Sequence, residues 1–258
     1  MIKAVFFDID GTLLSFETRE IPVSTLGALK ELRKKGIKAF IATGRHIKEM
    51  ETVRSAYDFD GFVTLNGQYC YDNEDKELHK LVISPEDIRA AVAGAKKKEY
   101  PCYFVHGGGQ FINMEDEDVT KICRKLQLPL PPIEDPEIAL NLDVYQLSVY
   151  LKREDEHKIM DKMKNSELVR WNEDFIDIIP KGGGKHEGMR KILEHHGLEM
   201  EEAMAFGDGG NDISMLEAAG VGVAMGNASE RVKLCADYVT DTVDNDGVEK
   251  ALKHFGII

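Results

Sequence analysis

Two aspartates stand at the end of the first apolar run of this sequence. Residues 5–7, Val-Phe-Phe, favour a β-strand, and Asp8, Ile9, Asp10 and Gly11 follow at once. Side chains alternate along a strand, so Asp8 and Asp10 project to the same side if the chain stays extended. Two close carboxylates repel each other unless one is protonated or a cation lies between them, and Mg²⁺ prefers such hard oxygen ligands. The pair indicates a magnesium site or, alternatively, a turn that carries two solvated acids.

Further polar groups follow other predicted strands or precede a predicted helix; they are Thr43-Gly44-Arg45, Lys185, and Asp208 through Asp212. Together with the first two aspartates they offer acids for a metal, a hydroxyl, backbone N–H groups and a lysine. Phosphoryl transfer needs this set of groups. Each has a simpler explanation: Thr43 as a strand-end hydroxyl, Arg45 in a surface ion pair, Lys185 as a solvated loop charge, and Asp208 and Asp212 as acids at a helix start.

The elements around these groups predict a parallel sheet. Strands are predicted over 37–42 and 62–65, with helices over 24–35 and 46–55 between the strands. This order implies right-handed crossovers, and ligands in such sheets bind beyond the carboxyl ends of the strands. The same alternation returns after residue 181, so 1–82 and 182–258 are predicted to form one doubly wound, Rossmann-like α/β core.

Residues 83–181 have a different pattern. They read as helix, two strands, helix, strand, helix and two strands, with the third helix over 154–165. This order is typical of an α+β layer with antiparallel pairs. We therefore predict an inserted domain over 83–181 that acts as a cap and rocks over Asp8. Its hairpin residues are candidates for substrate contacts: His106, Trp171, Asn172 and Asp174.

Four stretches of this chain resemble the motifs of the haloacid dehalogenase-like superfamily, and specifically of its Cof-type sugar-phosphate phosphatases. They are Phe7-Asp8-Ile9-Asp10-Gly11-Thr12-Leu13, Ala42-Thr43-Gly44-Arg45, Lys185, and Gly207-Asp208-Gly209-Gly210-Asn211-Asp212. The resemblance extends over the whole chain, although 83–181 match by size and element order alone. It implies a Mg²⁺-dependent phosphatase that acts on small phosphorylated metabolites, with sugar phosphates as the expected class.

The resemblance also implies a role for each motif residue. Asp8 would attack phosphorus and form an aspartyl phosphate, and Asp10 would protonate the leaving oxygen. Mg²⁺ would be held by the Asp8 carboxylate, the Asp10 backbone carbonyl and Asp208, with Asp212 binding the metal or orienting its ligands. The phosphoryl oxygens would be bound by these residues: Thr43, Gly44, Arg45, Lys185 and Asn211.

The composition limits the classes of molecule that this protein is expected to bind. The formal net charge is -13, and such a surface repels nucleic acid and anionic lipid. No apolar run approaches the ~20 residues of a membrane span, and no signal peptide is recognisable, so we expect a cytoplasmic protein. The sequence leaves the oligomeric state open.

Two other functions use the same groups. A phosphotransferase or mutase would pass phosphate from the same aspartyl phosphate to a second hydroxyl. A phospho-acceptor signalling module would store the phosphate, but an acid/base at Asp10 favours turnover. We interpret Asn66-Gly67 as a turn rather than as a contact.

Overall fold

A computed structural model describes residues 1–126, 130–170 and 173–258. Its strands, in chain order, are β1 (Ala4–Phe7), β2 (Lys38–Ala42), β3 (Gly61–Thr64), β4 (Tyr69–Asp72), β5 (Glu77–Lys80), β6 (Cys102–His106), β7 (Gly109–Ile112), β8 (Val144–Val149), β9 (Ser166–Val169), β10 (Ile176–Pro180), β11 (Ala203–Gly207), β12 (Val221–Ala224) and β13 (Tyr238–Val239). Its α-helices are α1 (Val23–Lys34), α2 (Glu51–Ala56), α3 (Pro85–Lys96), α4 (Glu117–Leu126), α5 (His157–Met160), α6 (Lys185–His196), α7 (Ile213–Ala218), α8 (Glu230–Lys233) and α9 (Gly247–His254).

The chain divides into two compact units, Met1–Lys80 with Gly183–Ile258, and Leu81–Gly182. The first unit holds an eight-stranded sheet in the order β13-β12-β11-β1-β2-β3-β4-β5, in which the strands from β13 to β3 are parallel. The predicted α/β class with a doubly wound parallel sheet is confirmed.

Strand β1 lies in the middle of this sheet, and all four of its residues are buried. Val5 and Phe7 pack in the cluster on one face, and Ala4 and Phe6 in the cluster on the other. A parallel strand that is covered on both faces reads as a continuous apolar run, which is the pattern of 4–7.

The carboxyl ends of four neighbouring strands, β11, β1, β2 and β3, meet at one edge of this sheet. The backbone ladder continues one residue past β1 and β2, because Asp8 N–H donates to Phe206 O at 3.0 Å and Thr43 N–H donates to Val63 O at 2.8 Å. The polar groups that follow these strands therefore start from fixed, adjacent positions.

The second unit contains a five-stranded sheet in the order β7-β6-β8-β10-β9, and its strand pairs are antiparallel. Helix α3 begins as predicted, since the Ser84 hydroxyl accepts from Asp87 N–H at 3.2 Å and Pro85 occupies the first turn. Phe104, Leu147 and Ile178 belong to the core of this unit.

One sequence prediction about secondary structure was wrong, and some strands were not predicted. The helix over 154–165 is reduced to a 3₁₀ turn and the short α5, because the Asp87 carboxylate accepts from the amides of Lys164 and Asn165, at 3.0 and 2.9 Å, in a non-helical path toward β9. The antiparallel strands β4 and β5 were missed, since half-exposed β5 has no apolar run.

Two of the proposed substrate-contact residues, Trp171 and Asn172, lie outside the described residues. The role of 83–181 as a cap stays a prediction. Among the described helices, none has both the length and the apolar character that a membrane crossing requires.

Candidate active site

Asp8 lies immediately beyond β1, with an exposed fraction of 7%. Lys185 is the first residue of α6 and is fully buried; its Nζ donates to Asp8 Oδ1 and to Asp212 Oδ1, each at 2.6 Å. Gly184 precedes the helix with φ at 111°, a conformation that favours glycine, and this turn directs Lys185 into the site. The alternative of a solvated loop lysine was wrong.

The loop after β11 supplies the other two acids. Asp212 Oδ2 accepts from the backbone N–H groups of Asp208 at 3.0 Å and Gly209 at 2.8 Å, so both of its oxygens are bonded within the protein. Asp208 accepts from the Asn227 amide at 3.0 Å. Gly11, with φ at 81°, allows the first motif to approach, because a Cβ there would lie 2.3 Å from Asp208 Oδ2.

Asp10 forms an ion pair with Arg45. The guanidinium donates through Nε to Asp10 Oδ2 at 2.8 Å and through Nη2 to Oδ1 at 2.6 Å. Such a two-point pair is among the stronger charge-assisted contacts. Arg45 therefore does form an ion pair, but with a candidate catalytic acid. Its predicted contact with phosphate, and that of the Asp10 carbonyl with a metal, stay predictions.

The second motif lies against a residue that the sequence analysis set aside. The buried Thr43 hydroxyl accepts from Arg45 N–H at 3.1 Å. Asn66 lies beside Gly44, where a Cβ would be 3.1 Å from Asn66 Oδ1, and this oxygen accepts from Asn211 Nδ2 at 2.9 Å. Asn66 thus connects the second and fourth motifs: the predicted turn is present, and its side chain also makes a contact that was not expected.

Three carboxylates lie around one buried cation, which bonds two of them. Burial, and then the charge of Asp212, raise the pKa of Asp8 well above its ordinary value, although Lys185 opposes this shift. Burial and Asp212 also raise the pKa of Asp208 to about 7. Burial by itself disfavours the charged form of Lys185, but the charges of Asp212 and Asp8 raise the pKa of that lysine. The ionised cluster of three acids and one lysine carries two negative charges.

The donor set fits a divalent cation. One oxygen from each of Asp8, Asp208 and Asp212 can be chosen so that all three lie within 4.8 Å of one another. Carboxylate oxygens are the hard ligands that Mg²⁺ prefers, and a charge of two positive units would balance the cluster. The oxygens of Asp212 already accept three hydrogen bonds, so Asp8 and Asp208 are the candidate direct ligands and Asp212 is a candidate for orienting the site.

A family model for haloacid dehalogenase-like hydrolases matches residues 5–252 of this chain. The chain belongs to this family. A curated relative, the putative phosphatase YkrA of Bacillus subtilis, is 33% identical over 257 residues, which cover 99% of this chain and 98% of the relative.

Solved structures of other haloacid dehalogenase-like phosphatases have the same fold. BT1666 from Bacteroides thetaiotaomicron has a TM-score of 0.94 and 40% identity, covering 100% of this chain and 96% of that one. The subclass IIB sugar phosphatase BT4131 has a TM-score of 0.91 and 43% identity, covering 99% of this chain and 100% of that one. This haloacid dehalogenase-like hydrolase is therefore a phosphatase of the Cof type, as its motifs indicated.

Three residues of this hydrolase site were missed from the sequence: Thr12, Asn66 and Asn227. Thr12 donates to Asp208 Oδ1 at 3.5 Å, and the Asn227 amide also donates to Gly11 O at 2.9 Å. Asn66 and Asn227 each follow the carboxyl end of a strand in the parallel part of the sheet, β3 and β12. That position was the available signal, because ligands bind at this edge.

Proposed function

We propose that this phosphatase hydrolyses small phosphorylated metabolites in a Mg²⁺-dependent reaction through an aspartyl phosphate on Asp8. The observation that carries the proposal is the buried pair of Asp8 with Lys185, at the carboxyl end of the central strand. The ammonium group opposes the rise in the pKa of Asp8 that burial and Asp212 cause, and so favours the ionised, nucleophilic carboxylate.

In the first half-reaction an Asp8 oxygen forms a bond to phosphorus, and the bond from phosphorus to the leaving oxygen breaks. Asp10 gives its proton to that oxygen. In the second half-reaction Asp10 takes a proton from the attacking water, the bond between Asp8 and phosphorus breaks, and inorganic phosphate is released. The Arg45 guanidinium donates to both Asp10 oxygens and so fixes the position of this carboxyl group.

Mg²⁺ would be held by Asp8 and Asp208, and by the Asp10 carbonyl. When bound, it neutralises charge on the phosphoryl group and on the acids around it. Asp212 keeps Lys185 and the loop amides in place around this position.

The phosphoryl oxygens would be bound by the Thr43 hydroxyl, the Gly44 N–H, the Asn211 amide and Lys185. These are hydrogen-bond donors around a phosphate whose charge is spread over its oxygens. The name of BT4131, a sugar phosphatase with 43% identity over nearly the whole chain, supports sugar phosphates as the substrate class.

A panel of phosphorylated sugars and p-nitrophenyl phosphate tests the proposal, with inorganic phosphate as the measured product. Many turnovers per protein that require both Mg²⁺ and Asp8 are the expected result. A labelled protein that holds one phosphate without release would favour the phospho-acceptor function. Transfer to a second hydroxyl, without free phosphate, would favour the mutase.

A further inference from the structure

The turn that follows β3 has an uncommon backbone. Leu65 and Asn66 are consecutive left-handed residues, with φ at 52° and 56°, and Gly67 follows with φ at 99°. Residues other than glycine rarely adopt this conformation, and it persists where surrounding contacts fix it. Contacts with other parts of the chain must therefore hold this turn in place.

Two backbone hydrogen bonds fasten the turn to the second motif. Asn66 N–H donates to Thr43 O at 3.0 Å, and Leu65 N–H donates to Arg45 O at 3.1 Å. These bonds lie on either side of Gly44, whose missing side chain leaves room for Asn66. The turn and the second motif thus have one fixed arrangement.

The same turn meets the third and fourth motifs. A Cβ on Gly67 would lie 2.1 Å from Gly184 O, so the turn packs closely on the chain that precedes Lys185. Asn66 is 2% exposed, and its Oδ1 accepts from Asn211 Nδ2, 145 residues away, at 2.9 Å. One buried side chain therefore joins two loops to which phosphoryl contacts are assigned.

We propose that Asn66 is a positioning residue of the phosphoryl site and acts through Asn211. A side-chain amide is planar and has two N–H bonds, so an acceptor that fixes one of them also fixes the direction of the other. Asn66 Oδ1 takes the first N–H of Asn211, and the second is directed to a phosphoryl oxygen. The inference rests on the proposed function and adds a residue outside its four motifs.

Asn66→Gly separates this role from a purely conformational one. Glycine adopts the left-handed backbone more readily than asparagine, so the variant keeps the turn and removes the side chain that carries the acceptor. We expect kcat/KM to fall by about tenfold, because one oriented contact with the phosphoryl group is lost. The inhibition constant of inorganic phosphate should rise by a similar factor. The Mg²⁺ concentration for half-maximal activity should not change, because Asp8 and Asp208 are untouched.

Lys98→Gly is a matched control. Lys98 is exposed and has the same left-handed φ of 56°, in the other unit of the chain. We expect its kinetics to equal those of the wild type. Wild-type kinetics in Asn66→Gly as well would overturn the proposal.

A double-mutant cycle with Asn211→Ala tests whether Asn66 acts through Asn211. In that background Asn66→Gly should have almost no further effect on kcat/KM, because contacting residues are non-additive. An equal loss in both backgrounds would overturn the positioning role.

The side-chain amide signals of Asn211 give a test that needs no turnover. On titration with inorganic phosphate they should shift in the wild type and not in Asn66→Gly. The same shift in both proteins would overturn the inference. A failure of the proposed function appears differently, as a wild type without phosphate release or an active Asp8→Asn.

Discussion

Lys185→Met removes the buried cation of the active site and keeps an unbranched side chain of similar volume. Lys185 is 0% exposed, and its ammonium donates to Asp8 and Asp212 at 2.6 Å each. The variant therefore leaves two buried carboxylates without their shared cation.

The expected loss of stability follows from this burial. At 4 Å and an effective dielectric constant of 20, one ion pair amounts to about 4 kcal/mol. Removal of one partner of a buried pair destabilises a protein by roughly 3–5 kcal/mol. We expect the free energy of unfolding of the metal-free variant to fall by that amount at pH 8.

The loss should be smaller at pH 5. Burial and Asp212 already raise the pKa of Asp8 in the folded protein, and the variant raises it further because the lysine that opposed the shift is gone. An acid with a raised folded pKa contributes stability below its unfolded pKa and loses it as the pH rises through the folded value. Proton uptake therefore compensates the variant at pH 5 and not at pH 8.

Urea unfolding in EDTA at both pH values measures this difference. Lys181→Met is the matched control, because Lys181 is exposed and precedes the same glycine run, and such surface changes stay within about 0.5 kcal/mol. In Lys185→Met the neutral Asp8 should also lower kcat/KM by about a thousandfold relative to the wild type, which corresponds to roughly 4 kcal/mol of activation free energy. Stability equal to that of the control at pH 8, or a larger loss at pH 5, would refute the reasoning.

Three further predictions concern the carboxylates. Asp8→Asn should fold but lose turnover by more than about tenfold, since an amide does not attack phosphorus; phosphate release and a thermal melt measure both, and near-wild-type activity contradicts the assignment. EDTA should abolish phosphate release and Mg²⁺ restore it, whereas Ca²⁺ should not, because its looser shell disfavours in-line geometry; full activity in EDTA counts against the metal. Burial and Asp212 raise the pKa of Asp208 to about 7, so cation binding should release a proton and weaken as the pH falls below 7. Calorimetry in two buffers of different ionisation enthalpy measures that proton, and its absence would contradict Asp208 as a ligand.

The local sequence determined at which strand ends the residues of the candidate site lie. Asp8, Thr43 and Asp208 each follow an apolar run that could be read as a parallel strand. The carboxyl ends of such strands share one sheet edge, so their proximity follows from the pattern alone. The sequence also predicted the antiparallel pairing after residue 83, because the elements there are short and do not follow the strand–helix alternation of the core.

The length of the helix predicted over 154–165 could not be derived from the sequence. Residues 154–165 have helical periodicity, but the Asp87 carboxylate binds the amides of Lys164 and Asn165 and ends the helix early. The acceptor is about 77 residues away in the chain, so no local pattern contains it.

Only the tertiary structure decided which atoms meet within the site. Lys185 and Asp8 are 177 residues apart, and Asn66 and Asn211 are 145 apart. Strand ends fix where a side chain begins, whereas its hydrogen-bond partner depends on how loops from distant parts of the chain pack at that edge. A motif describes which residue types follow one another along the chain. The pairing of Asn66 with Asn211 depends instead on their proximity in the folded structure.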